Sequence, residues 1–212
     1  MEAAAQSQDT AQRIVEAARL ALIEGELLEV SLAEISQRAG TNVALVSYYF
    51  GNREGLMVAI AEADAELTTR ILDRLIAADL SPTAKIKAHI KGLIETYFAR
   101  PYLNRLLQKL LREGSPEASA KIGASFVRPV AEARHAIIAK GIANGEFRAV
   151  DSGLVGFAID GACAHIFSSA ASREAILGSG ALDRALVDRY VAEISNLILR
   201  GLLAEREDGT TG

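Results

Sequence analysis

The chain has 212 residues, of which half are hydrophobic and 24% are charged, and its formal net charge is −4. This apolar share excludes an intrinsically disordered chain, which would be too polar to form a core. The single cysteine, Cys163, excludes a disulfide framework and a zinc site built from cysteines.

The location of the protein can also be predicted from the sequence. The N-terminal residues have no apolar segment of the kind found in secretory signals. The longest apolar stretch, 154–167, is interrupted by Asp160 and is too short to cross a bilayer. We therefore expect a cytoplasmic protein with no membrane partner, and one free cysteine fits a reducing compartment.

The sequence predicts an all-α fold, because no segment alternates apolar and polar residues as a strand would. The first helix covers 12–24 and ends at Gly25. Ser31 is the predicted N-cap of a second, short helix, and Glu34 completes a capping box. That helix ends at Gly40, which suits the left-handed position after a helix.

Asn42 and Asn52 are the predicted N-caps of the next two helices. The helix after Asn42 is short, and the one after Asn52 continues to about residue 78. Later helices begin near Pro82, Pro101 and Pro116.

The rest of the chain continues the helical pattern. Pro129 should kink or break the helix predicted for 116–143, because proline lacks an amide donor. Asp151 caps a helix predicted to reach about residue 171, and the last helix is predicted from Asp183 to about Glu205. We predict a first domain at 10–60 and a second at 61–207, with disordered tails at 1–9 and 208–212.

The most informative segment is residues 31–56, SLAEISQRAGTNVALVSYYFGNREGL. Ile35 in its first helix and Val46 and Phe50 in its second are spaced to meet in a small core, and Gly40 turns the chain between the helices. This pattern predicts a helix-turn-helix, whose second helix lies in the major groove of DNA.

The outward side of the second helix carries short or aromatic side chains, which allow close approach to base edges and thymine methyl groups. Hydroxyl groups and one arginine in the first turn of the long helix can hold phosphates, and such contacts set register without reading sequence. The predicted DNA-binding residues are Ser31, Thr41, Asn42, Val43, Ala44, Leu45, Ser47, Tyr48, Tyr49 and Arg53.

Residues 1–60 contain four Lys and Arg but eight Asp and Glu, which is unusual for a DNA-binding domain. Most of the excess lies at Glu16, Glu24, Glu26 and Glu29, whereas 31–60 is balanced. We therefore expect few cationic contacts and a shallow salt dependence of binding.

The pattern resembles the DNA-binding domain of TetR-family transcriptional regulators over about residues 10–60. The residues that carry the resemblance are Arg13-Ile14, Ala17-Ala18, Gly25, Ser31-Leu32, Ile35, Ala39-Gly40, Tyr48-Tyr49-Phe50, Asn52-Arg53-Glu54 and Leu56. Thr41, Ser47, Tyr49 and Arg53 depart from the residues usual in the family, and these departures concern the operator sequence more than the DNA-binding role.

The resemblance implies a homodimer that binds a double-stranded DNA operator as a repressor and releases it when a small, mostly apolar effector binds. It implies that the second domain binds the effector and that the last two helices form the dimer interface. Their apolar stripes fit this role, although any core helix shows such stripes. The residues predicted to line the effector pocket, for each of which an ordinary core role stays open, are Tyr97, Phe98, Leu106, Phe126, Arg128, His135, Phe157, Asp160, Cys163 and Phe167.

Other functions find little support in the sequence. It contains no GxSxG, Walker A, HExxH or complete GxGxxG motif, and no histidines at metal-ligand spacing. We expect no enzyme, no catalytic residue, no cofactor and no metal. The alternative is a helical adaptor or interaction protein without DNA binding.

Overall fold

The computed structural model describes residues 2–25 and 30–204, with side chains from residue 8 onward. Over these residues the predicted all-α fold is confirmed, and the β-structure described is one isolated antiparallel bridge between Phe147 and Leu203. The helices are α1 (Glu2–Glu24), α2 (Leu32–Arg38), α3 (Val43–Phe50), α4 (Arg53–Ala77), α5 (Pro82–Ala99), α6 (Leu103–Glu113), α7 (Pro116–Ile122), a π-helical segment (Gly123–Val127), α8 (Arg128–Ala143), α9 (Ser152–His165), α10 (Ala170–Leu177) and α11 (Arg184–Leu202).

Helix α1 begins at Glu2, so it includes residues 2–9, for which the sequence predicts a disordered tail. Alanine, glutamine and glutamate favour a helix there, and no Gly or Pro interrupts the chain before Gly25. Helix α11 ends at Leu202, short of the end predicted near Glu205, because the chain turns extended at Leu203. The predicted tail at 208–212 lies outside the described residues, as do Glu26 and Glu29.

The chain divides into two compact units. The first unit comprises residues up to 69 together with 100–128, and the second comprises 70–99 together with 129 onward. The domain boundary predicted at residues 60 and 61 stays a prediction. The first unit has a core of aliphatic side chains with no solvent exposure, among them Ile14, Leu22, Ile35, Val46, Leu56, Ile60, Leu103, Leu106 and Ile122.

In the second unit, α5, α9 and α11 pack on one another. Ile86, Ile90 and Ile94 of α5 are fully buried, because they recur at helical spacing on the face of α5 that turns away from solvent. Gly141 of α8 lies against the ring of Phe147, and a Cβ at this position would come within 2.1 Å of that ring. The absence of a side chain at Gly141 is therefore required for Phe147 to be buried.

The helix predicted for 116–143 is interrupted before Pro129, as the sequence predicts. Helix α7 ends at Ile122, and the π-helical segment leads into α8, in which Pro129 is the second residue. The wider winding of the π-helical segment comes directly before the proline, whose missing amide cannot continue the α-helical hydrogen-bond pattern.

The helix predicted from Asp151 to about residue 171 was wrong at its C-terminal end. Helix α9 ends at His165, and Ser169 caps a separate helix, α10, by accepting a hydrogen bond from a backbone amide at 3.2 Å.

Within the described ranges, no single helix is long and apolar enough to cross a membrane. Taken together, helices α9 and α10 have the length and the apolar composition of a membrane span, but the chain bends by 87° between them.

Candidate nucleic-acid interface and interior polar cluster

Three polar side chains cap the helices of the predicted DNA-binding segment. Ser31, Asn42 and Asn52 each accept a hydrogen bond from the backbone amide three residues later, at 3.1, 2.9 and 2.9 Å. The reciprocal half of the predicted capping box is replaced by an ion pair, because the Glu34 carboxylate lies 3.2 Å from Arg38. The caps fix where α2, α3 and α4 begin.

The turn between α2 and α3 is held from both sides. Gly40 has a φ of +62°, a left-handed conformation that glycine adopts without a steric penalty. The Arg13 guanidinium of α1 donates to the carbonyl oxygen of Ala39 at 2.8 Å, and the Thr41 amide donates to the carbonyl of Ser36 at 2.9 Å. The turn is therefore anchored to α1 as well as to α2.

Helix α3 buries one side and exposes the other. Val46 is fully buried, as is Ile35 of α2, whereas the side chain of Tyr48 is 79% exposed and that of Val43 is 41% exposed. The rings of Tyr48 and Tyr49 meet edge to face, with centroids 5.3 Å apart. Among the other predicted DNA-binding residues, Ser31, Asn42, Ala44 and Arg53 are exposed and Thr41, Leu45, Ser47 and Tyr49 are half-buried.

The charges around α3 are largely compensated within the first unit. Arg38 is paired with Glu24 at 2.5 Å as well as with Glu34. Glu54, in the first turn of α4, accepts hydrogen bonds from the Ser115 hydroxyl at 2.6 Å and from its amide at 3.0 Å, and both bonds lower the pKa of Glu54. Arg53, the first residue of α4, is exposed.

A buried carboxylate joins three segments of the first unit. Asp64 of α4 has no solvent exposure, and its oxygens lie 2.7 Å from the Tyr102 hydroxyl, 2.7 Å from Arg19 of α1 and 3.2 Å from Arg100. Burial, together with the charge of Asp64, raises the pKa of Tyr102. We call Arg19, Asp64, Arg100 and Tyr102 the Asp64 cluster, and it ties α4 to α1 and to the residues just before α6.

The second unit contains a different arginine–carboxylate pair. Arg134 of α8 donates to both oxygens of Asp160 in α9, at 2.7 and 3.2 Å. The Arg134 side chain is only 6% exposed, whereas that of Asp160 is 46% exposed. A Cβ at Gly156 would lie 2.5 Å from the guanidinium, so this glycine lets the arginine lie directly against α9.

His89, Tyr97 and Cys163 lie near this pair, and Phe167 lies beside Tyr97. The rings of Tyr97 and Phe167 lie 6.0 Å apart, and burial, ahead of the Asp160 charge, raises the pKa of Cys163 to about 12. His89 is 4% exposed, and its Nε2 atom is buried without a hydrogen-bond partner. Burial, and then the positive charge of Arg134, lowers the pKa of His89 to about 4.

We call His89, Tyr97, Arg134, Asp160, Cys163 and Phe167 the interior cluster. Four of its members are among the ten predicted pocket residues, and His89 and Arg134 are not. Arg134 did carry a signal in the sequence, because it occupies a core position in the run of buried residues Val130, Ala133, Ile137 and Ile138. A charged residue on the buried face of a helix indicates a partner in the interior.

The other predicted pocket residues lie elsewhere. Leu106 and Phe126 are buried in the first unit. Phe98 is half-buried beneath the Arg184 guanidinium, 4.7 Å from its ring centroid. Arg128 and His135 are exposed, and Phe157 is 81% exposed.

Helix α9 presents an apolar stripe to solvent. Leu154 is 69% exposed, and Ala158, Gly161 and His165 follow it along the same face as Phe157. On α11, Leu197 is 66% exposed. Exposed apolar side chains that recur on one helix face are typical of surfaces that bind another protein.

No group of three or more histidine, cysteine or carboxylate side chains is arranged to hold a metal ion in the part of the chain that the structure describes.

Comparison with protein-family models gives two matches. Residues 14–60 match the model described as bacterial regulatory proteins, tetR family, and residues 79–208 match the tetracyclin repressor-like C-terminal domain. Together these matches cover most of the chain.

Similar curated proteins carry regulator names. The HTH-type transcriptional regulator RutR of Escherichia coli is 23% identical over 171 residues, which are 81% of this chain and 80% of RutR. The HTH-type transcriptional regulator BetI of Serratia proteamaculans is 30% identical over 151 residues, covering 62% of this chain and 74% of BetI.

Solved structures share the fold. A regulator of the TetR/AcrR family from Thermobifida fusca matches with a TM-score of 0.70 at 23% identity, over 91% of this chain and 98% of that one. The regulator FadR of Bacillus subtilis, solved in complex with stearoyl-CoA, matches with a TM-score of 0.72 at 17% identity, over 90% of this chain and 98% of FadR.

Proposed function

The chain belongs to the TetR family of bacterial transcriptional regulators, and on this premise we propose that it is a homodimeric repressor that a small, mostly apolar molecule releases from its operator. The observation that carries the proposal is the surface of α3, which exposes Tyr48 and Val43 while Val46 holds the helix in the core.

We propose that α3 lies in the major groove. Val43 and Ala44 stand at the exposed start of the helix, where short side chains allow it to approach base edges closely. The hydroxyls of Thr41 and Tyr48 and the guanidinium of Arg53 contact the phosphates. Because Arg38 is committed to two glutamates, these contacts include few cations, and the salt dependence of binding is shallow.

Two copies are needed to read two half-sites. The stripe of Leu154, Phe157 and Gly161 on α9, together with Leu197 on α11, supports an interface between identical copies, because leaving these side chains in water is unfavourable. Replacing Phe157 by aspartate should convert the dimer to a monomer in sedimentation experiments. A parent that sediments as a monomer at micromolar concentration would contradict the interface.

The interior cluster is the proposed effector site. His89 is neutral at pH 7, and its Nε2 atom lacks a partner, which costs free energy that a ligand hydroxyl or carbonyl group would recover. Tyr97, Cys163 and Phe167 supply an apolar surround for the rest of such a ligand. FadR of Bacillus subtilis was solved with stearoyl-CoA, whose long acyl chain supports an effector with an apolar part in this fold.

Helix α4 is the proposed connection between effector and operator. It belongs to the first unit up to residue 69 and to the second from Arg70, without a break in the helix. The effector acts through its different affinity for two positions of this helix. Because Arg53 is the first residue of α4, a change in the direction of the helix moves the reading surface.

The DNA-binding proposal is tested by a mobility shift with the DNA upstream of the protein's own gene. The double variant Tyr48→Ala/Arg53→Ala should bind at least tenfold more weakly than the parent, because it loses exposed contacts and no core packing. Lys121→Ala, which removes an exposed cation of α7, is the matched control and should bind as the parent does. A double variant that binds as tightly as the parent would favour an adaptor that does not use α3 for DNA.

A further inference from the structure

A concave site lies in the first unit, between α4 and α6. Its volume is about 180 Å³. Its apolar wall consists of Met57, Leu106 and Leu110, each of which is at most 7% exposed. The charged and small residues that complete the lining are Arg53, Glu54, Lys109, Glu113 and Gly114.

Hydrogen bonds join both ends of α6 to α4. Just before α6, Tyr102 donates to Asp64 of α4, and just after it Ser115 donates to Glu54 of the same helix. The cavity cannot be filled from Gly114, because a Cβ there would lie 2.4 Å from the carbonyl oxygen of Leu110. The two connections fix α6 beside α4, and the lining side chains between them leave space unfilled.

The charges at the opening balance one another. Lys109 is paired with Glu113 at 3.0 Å, and Glu54 is held by Ser115. With two cations and two carboxylates in the lining, the site has no net charge that would attract a charged ligand. The apolar wall therefore selects for an uncharged molecule.

We propose that this cavity binds an uncharged molecule with a single aromatic ring, at a site separate from the interior cluster. The size fits, since a cavity of about 150 Å³ lined by aliphatic and aromatic side chains is large enough to bind benzene. A ring in this cavity contacts Leu106 and Leu110 with its faces and edge, and it lies beside Arg53 and Glu54 at the start of α4.

Met57 provides a direct probe, because the chain contains only two methionines, Met1 and Met57. The full-length protein is labelled with ¹³C at the methionine methyl groups and titrated with phenol, which is uncharged at pH 7. The Met57 resonance should shift and saturate, while the Met1 resonance stays in place. Benzoate, which has the same ring and a negative charge, should bind at least tenfold more weakly than phenol.

Substitutions then separate this site from others. Leu110→Phe fills the cavity and should weaken phenol binding at least tenfold. Leu177→Phe makes the same exchange at a half-exposed position of α10, and His89→Gln alters the interior cluster; both should bind phenol as the parent does. Should Leu110→Phe fail to fold, the phenol and benzoate titrations of the parent decide alone. A shift that never saturates, equal binding of benzoate, or undiminished binding by folded Leu110→Phe would overturn the proposal.

Discussion

Both units contain a carboxylate bound to arginine in the interior, and the two pairs differ in how fully they are enclosed. Asp64 has no solvent exposure. It accepts a hydrogen bond from the Tyr102 hydroxyl and forms ion pairs with Arg19 and Arg100. In the interior cluster the arginine is the buried member of the pair: the Arg134 side chain is buried, whereas the Asp160 carboxylate is half-exposed.

The difference indicates two roles for the same chemistry. A fully enclosed carboxylate cannot leave its donors without a large penalty, so the Asp64 cluster fixes the positions of α1 and α4. The Asp160 carboxylate is already partly in water, so it is the easier of the two carboxylates to displace; the buried Arg134 guanidinium then needs another acceptor, which a ligand could supply. The neighbouring His89 Nε2 atom, buried without a partner, adds to the capacity of the interior cluster for a ligand.

Removing the fully enclosed carboxylate, Asp64, should have the largest effect on stability. Asp64→Ala removes the acceptor of the Tyr102 hydroxyl and the carboxylate that Arg19 and Arg100 share, although Arg19 keeps its pair with Glu16. We expect a loss of about 3 kcal/mol in the free energy of unfolding. This value is at the low end for buried pairs because Arg19 and Arg100 retain some exposure, at 22% and 17%. Urea unfolding followed by circular dichroism measures the loss.

Asp73→Ala is the matched control for this change, because Asp73 is an exposed residue of the same helix. It should unfold within about 0.5 kcal/mol of the parent. If the two variants lose equal stability, the Asp64 cluster does not hold the first unit together, and full burial of the carboxylate does not give it a structural role.

The two sites also differ in how far the sequence predicts them. The surface around α3 depends on caps and spacings within residues 31–56, such as Ser31 with α2 and Asn42 with α3, and local patterns predict such features well. The interior cluster joins His89, Arg134 and Asp160 from three helices far apart in the sequence. No local pattern specifies which side chains of separate helices meet, so Phe157 and His135 were as plausible in the sequence as the residues that the structure brings together.

The interior cluster should also make the stability of the protein depend on pH, through His89. The pKa of His89 is about 4 in the folded protein, against an ordinary value of 6.5. Between these values the unfolded chain binds more protons, so stability falls as the pH is lowered through this window. The difference amounts to about 2 kcal/mol between pH 7 and pH 5.

Urea unfolding at pH 7, 6 and 5 tests this expectation with two histidine variants. His89→Gln removes the titrating group from beside Arg134 and Asp160, so its stability should change less over this range than that of the parent. His135→Gln, at an exposed position bonded to Ser152, should keep the parent's slope. Parallel curves for the parent and His89→Gln would mean that His89 is not held neutral in the interior.

The smallest effect is expected for the open pair. The coupling between Asp160 and Arg134 should be about 1 kcal/mol, because solvent already reaches the carboxylate and screens the interaction. Asp160→Ala alone should cost more, because it also leaves the buried guanidinium without this acceptor. Combining Asp160→Ala with Arg134→Leu in a double-mutant cycle isolates the coupling between the two side chains. A coupling energy as large as the loss in Asp64→Ala would show that exposure does not distinguish the pairs. The Arg134–Asp160 pair would then have a structural role like that of the Asp64 cluster, and a ligand could not displace Asp160 from Arg134.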